Sequence, residues 1–132
     1  TGGGFQAPLP IEKYQSAVRA IDPKTGDIRW EYQIQPRSTA GMLATAGDLV
    51  FSGSVDGYFF ALDAVSGEEL WHINVGRLVH SAPMTYAVDG KQYIAVTTAL
   101  GGTSPRTVPG VIAPEITYPR TGNALYVFSL PD

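Results

Sequence analysis

The chain has no cysteine, only two histidines and two methionines, and its nine Lys and Arg are scattered singly against twelve Asp and Glu. Without thiols there can be no disulfide, no thiolate metal site and no cysteine nucleophile. A net charge of −3 with no basic cluster argues against partnership with nucleic acid or anionic lipid. No run of eighteen apolar residues is present, so no membrane span is expected. The chain opens on Thr1 with no charged-then-apolar leader behind it, and is therefore expected to be a piece of a longer chain with missing upstream sequence.

What is present is a repeat. Residues 20–30, A-I-D-P-K-T-G-D-I-R-W, return as residues 61–71, A-L-D-A-V-S-G-E-E-L-W, so that Ala20, Asp22, Gly26 and Trp30 recur as Ala61, Asp63, Gly67 and Trp71 after 41 residues. A period near 40 with strand-like alternation and a fixed Trp indicates one β-propeller blade per repeat.

Strand and turn signals fill in this frame. Residues 16–22 alternate and run into the turn P-K-T-G-D, with Pro23 presetting φ and Gly26 free to take φ > 0. Asp22 is expected to accept turn amides, a structural role. Gly47-Asp48, Asp56-Gly57, V-S-G and Asp89-Gly90 mark further hairpins. These signals predict an all-β part of a propeller within residues 1–132: a partial blade over 16–34, a complete four-stranded antiparallel blade over 42–75, and a partial blade over 82–130. The last carries a long loop at 100–122, rich in Pro and Gly, too long for an ordinary turn. Residues 123–130, apolar nearly throughout, are expected to form a strand buried on both sides. Trp30 and Trp71 are expected to pack between blades with their indole N–H on backbone acceptors.

Such a set of strands does not close a ring, so the chain is expected to work with other blades, supplied by a partner chain or by upstream sequence. His72 and His80 are not at metal-ligand spacing and are taken as packed or solvated. T-G-G-G-F precedes no helix and cradles no phosphate, and no G-x-S-x-G supports hydrolase chemistry.

The Trp repeats, together with T-A-G-M-L-A-T-A-G-D-L-V-F-S-G-S-V-D-G-Y-F-F-A-L-D at 39–63, A-P-M-T-Y-A-V-D-G-K-Q-Y-I-A-V at 82–96 and N-A-L-Y-V-F-S-L-P at 123–131, resemble the C-terminal blades of quinoprotein alcohol dehydrogenases, which use pyrroloquinoline quinone (PQQ). The resemblance implies a periplasmic oxidoreductase acting on an alcohol or sugar hydroxyl. PQQ and a Ca²⁺ or lanthanide ion would be held by the complete protein and not by this chain alone, and a cytochrome would serve as electron acceptor. It places the metal ligands, the base Asp and the ring-stacking Trp in earlier blades, so no catalytic or metal residue is assigned here, and Asp22, Asp48, Asp56, Asp63 and Asp89 are left as turn residues. Ser38, Thr39, Ala40 and Gly41, with Gly101, Gly102 and Thr103, are the cleft-lining candidates. Members resembling methanol dehydrogenase often carry Trp where Thr39 and Thr103 stand, so a wider, less aromatic cleft is expected. Two alternatives stay open: a noncatalytic propeller scaffold like the outer-membrane assembly lipoproteins, and a module that associates with itself.

Overall fold

The computed structural model describes residues 15–35, 38–98, 114–117 and 123–130. The described residues form nine strands and no helix: β1 (Ser16–Ile21), β2 (Ile28–Ile34), β3 (Leu43–Ala44), β4 (Leu49–Gly53), β5 (Tyr58–Asp63), β6 (Glu69–Asn74), β7 (Met84–Val88), β8 (Lys91–Thr98) and β9 (Ala124–Ser129). They pair antiparallel in chain order into sheets of two, four and three strands, β1-β2, β3-β4-β5-β6 and β7-β8-β9. One complete blade between two incomplete ones is thus observed.

The sequence repeat is reproduced down to its irregularities. Gly26 N donates to Asp22 O at 2.8 Å and Gly67 N to Asp63 O at 2.9 Å, while the register slips between Ala20 and Ile21 and again between Ala61 and Leu62. Both turns need φ > 0 at the glycine, +79° at Gly26 and +76° at Gly67, which a side chain would resist.

The three sheets stack face to face because the middle one is apolar on both faces. Alternate residues of β5 point opposite ways, so Phe60 and Leu62 join Val18 and Ile34 of the two-stranded sheet, while Phe59 and Ala61 join Ile94 and Val96 of the three-stranded one. Burying each Phe or Leu contributes roughly 1.5–3 kcal/mol, so these two seams hold the stack together.

One expectation fails. β9 is not buried on both sides: Leu125 is 64% and Val127 47% exposed, whereas Tyr126 and Phe128 pack on the core. Strand alternation sends Leu125 and Val127 to the far face of the three-stranded sheet, where no further sheet of the described residues covers them. β7, the edge strand of the same sheet, is exposed along its whole length.

Candidate functional site

The seams between sheets are filled differently at their two ends. On one side glycines let backbones touch: a Cβ at Gly41 would stand 2.6 Å from Ala82 Cβ, and one at Gly53 2.5 Å from Val79 Cβ. On the other side an indole fills the gap. Trp30 Nε1 donates to Ala64 O at 3.0 Å, and a Cβ at Gly67 would come within 2.6 Å of the Trp30 ring. Small residues at one end of the seams and Trp at the other fit blades that radiate from an axis on the side of β3 and β7.

Residues 38–41 lead into β3 and residues 79–82 into β7, and the two segments are 41 residues apart, as the repeat requires. Ser38 Oγ accepts Ala40 N at 3.0 Å and donates to the Gly53 carbonyl, which ties the cleft candidate to β4. Ser38 N donates to Ser16 Oγ at 3.0 Å, bridging toward β1. Thr39 Oγ1 lies 3.0 Å from His80 Nδ1, in a half-buried contact across the seam. Ser81 Oγ donates to Thr97 O at 2.9 Å and accepts Thr97 N at 3.2 Å, holding the second segment on β8. Thr98 pairs with Val79 in an isolated backbone β-bridge, and its buried Oγ1 has no hydrogen-bond partner among the described residues.

The candidates Ser38, Thr39, Ala40 and Gly41 therefore sit together at the inner seam, and the structure adds His80, which sequence reading treated as a bystander. The signal existed: the 41-residue period sets Thr39 opposite His80. Gly101, Gly102 and Thr103 lie outside the described residues.

The remaining sequence candidates lie in turns and sheet contacts. Asp22 Oδ1 accepts Lys24 N at 2.8 Å and its other oxygen pairs with Arg29, whose guanidinium, followed by the Lys24 amide, holds the carboxyl below its ordinary range. Asp63 Oδ1 accepts Val65 N at 2.9 Å and Ser66 N at 2.7 Å, and the Ser66 amide and hydroxyl hold it down likewise. Asp48 and Asp89 occupy turns at φ +56° and +50°. Trp71 stacks edge-on against Phe59 and Phe128, with ring centroids 6.1 and 5.2 Å away, and so bridges two sheets.

A second polar cluster lies toward the outer edges, where β2 of one sheet meets β6 of the next. The Tyr32 hydroxyl donates to the Glu69 carboxylate, which also pairs with His72, and Tyr32, Tyr58 and Phe60 wall a cavity of about 280 Å³ beside them. Partial burial, then the adjacent Glu69, pushes the Tyr32 phenol up to about 12, while the Tyr32 hydroxyl holds Glu69 below its ordinary range. This cluster stitches two sheets.

Residues 33–94 match the PQQ family model for the β-propeller domain of glucose, ethanol and alcohol dehydrogenases. The chain is 42% identical to quinoprotein ethanol dehydrogenase of Pseudomonas putida over 98% of its own length and 21% of that protein. It is 38% identical to 1-butanol dehydrogenase (quinone) of Thauera butanivorans, over 98% of this chain and 20% of that protein. The crystal structure of quinohemoprotein alcohol dehydrogenase from Comamonas testosteroni superposes with a TM-score of 0.70 at 33% identity, covering 86% of this chain and 16% of that one. The chain spans about a fifth of the length of the curated relatives it matches, and aligns with their C-terminal part.

Proposed function

We infer, from a chain that forms C-terminal blades of the quinoprotein alcohol dehydrogenase propeller, that its role is to complete the wall of a PQQ-dependent enzyme oxidising an alcohol. The observation that carries this is the inner seam. Residues 38–41 and 79–82 meet at the converging side of the sheets, locked by Gly41 against Ala82, and present Thr39 and His80 there. That is where a propeller keeps its axial cleft.

The donor set bears on what that wall could hold. Hydroxyls and an imidazole suit the oxygens of a quinone or an alcohol, but the two segments contain no carboxylate, and among the described residues no group of three His, Cys, Asp or Glu could hold a metal. Thr39 and His80 would therefore suit the organic part of the cleft, where quinone and alcohol meet, and the resemblance assigns the metal's ligands to earlier blades. When bound, PQQ supplies the two-electron acceptor for alcohol oxidation. This chain's residues contribute shape, hydrogen bonding and exclusion of water.

The rest of the propeller is supplied by other sequence. Two features support this. Among the described residues, no strand pairs with β1 on the edge where β4 pairs with β5 in the complete blade, and none comes within 4 Å of a Cβ at Gly26 where Gly67 carries Trp30. The setting is periplasmic, with a cytochrome as electron acceptor, in keeping with relatives named lupanine 17-hydroxylase [cytochrome c] and quinohemoprotein alcohol dehydrogenase.

The test is reconstitution of the complete protein with PQQ and Ca²⁺ or a lanthanide, followed by alcohol-dependent reduction of an artificial electron acceptor. Turnover that requires PQQ supports the reading. A fully assembled propeller that binds no quinone would leave the noncatalytic scaffold instead.

A further inference from the structure

We propose that Thr39 and His80 form a hydroxyl-reading pair that favours alcohols carrying a second hydroxyl group over plain alkanols; this rests on the reading of residues 38–41 as cleft lining. The two residues lead into neighbouring first strands at equivalent repeat positions, and their side chains meet at 3.0 Å, both half-buried. Their backbones are fixed where they stand by the Gly41–Ala82 and Gly53–Val79 contacts, so the pair is pre-organised.

The other side-chain hydroxyls of the two segments are already committed, Ser38 to the Gly53 carbonyl and Ser81 to Thr97. His80 Nε2 has no hydrogen-bond partner among the described residues, and Thr39 Oγ1 keeps capacity beyond its one contact. If Thr39 donates to Nδ1, Nε2 carries the proton and donates outward; if Nδ1–H donates to Thr39, Nε2 accepts. A hydroxyl both donates and accepts, so it satisfies either tautomer. A carboxylate would meet no Lys or Arg in residues 38–41 or 79–82, and an alkyl chain would leave Nε2 unpaired. The matching ligand group is thus a neutral hydroxyl remote from the carbon being oxidised, as in a diol or polyol.

The experiment uses the complete PQQ-loaded enzyme and compares 1,4-butanediol with 1-butanol. A tertiary diol, which cannot be dehydrogenated, gives a binding constant from tryptophan fluorescence, independent of turnover. His80→Leu is expected to lower the diol-to-alkanol ratio of kcat/KM about tenfold, the order of one hydrogen bond between neutral groups, and to weaken tertiary-diol binding to match. His80→Asn, which keeps a donor and an acceptor, is expected to restore most of both. Thr39→Val, which frees the ring to turn, is expected to cost about threefold. Should His80→Leu fold poorly, the Asn and Val variants carry the comparison. Thr39→Trp puts a large ring on the wall and is expected to depress kcat/KM for both substrates. A ratio unchanged in His80→Leu, with Thr39→Trp still damaging both, overturns the pair's role and leaves the cleft reading in place. Thr39→Trp without effect on either substrate removes the cleft reading and the proposal with it.

Discussion

The indole of Trp30 lies on Gly67, a residue of the next blade, so closely that a Cβ there would come within 2.6 Å of the ring. The same indole donates to Ala64 O at 3.0 Å. One tryptophan thus senses both the shape and the polarity of the neighbouring turn, and the neighbour can accept it only as glycine. This contact converts a sequence repeat into a stack of blades.

Gly67→Ala is therefore expected to destabilise the assembled protein by roughly 1–3 kcal/mol, combining strain at φ +76° with displacement of the indole. Trp30→Phe, which removes only the N–H donor and some area, is expected to cost about 1–2 kcal/mol. Denaturant midpoints of the complete protein check both.

Gly26 has the same backbone, φ +79°, but no described residue comes within 4 Å of a Cβ placed there. In the complete propeller an equivalent indole would cover it. Gly26→Ala is expected to match Gly67→Ala in the whole protein and to cost clearly less in a truncated one that begins near residue 15. Equal costs in both settings would mean that no aromatic group of a further blade docks there.

Acid is expected to loosen the two repeat turns. Asp22 and Asp63 have carboxyls held below their ordinary range, so their contribution is complete above a pH of about 4 and is lost as pH falls through the lowered values. Far-UV circular dichroism between pH 5 and 2 on wild type and Asp63→Asn tests this, as does the same measurement on Asp22→Asn. The variants should show a shallower acid limb. Alkali acts on the outer stitch: Tyr32, raised to about 12, contributes fully below about 10 and loses that contribution as pH rises toward 12. Tyr32→Phe should remove that alkaline limb.

Expressed by itself, the chain is expected to associate. Leu125 and Val127 face outward from β9, β7 is exposed throughout, and β1 has one edge unpaired among the described residues. Light scattering should report species heavier than one chain, and Leu125→Lys with Val127→Lys should reduce them.

Much of this fold was legible in the residues because the blade repeat is local: Asp, Gly and Trp at fixed offsets specify a turn and the staple that reaches the next one. The outward face of β9 was not, because N-A-L-Y-V-F-S-L is apolar whichever side it covers, and which sheet lies beyond it is not written in the strand. The same limit hid His80. A lone histidine carries no signal of its own, and its meeting with Thr39 arises only when two blades stack, though the 41-residue period marks the pair once stacking is assumed. Gly101, Gly102 and Thr103 stay an expectation drawn from resemblance.

The most direct test of the central claim is native mass spectrometry of the purified, assembled protein with the absorbance of bound quinone recorded on the same sample. The account predicts an assembly well above the 14.1 kDa of this chain, carrying PQQ. A stable, folded species of 14.1 kDa without quinone would contradict it.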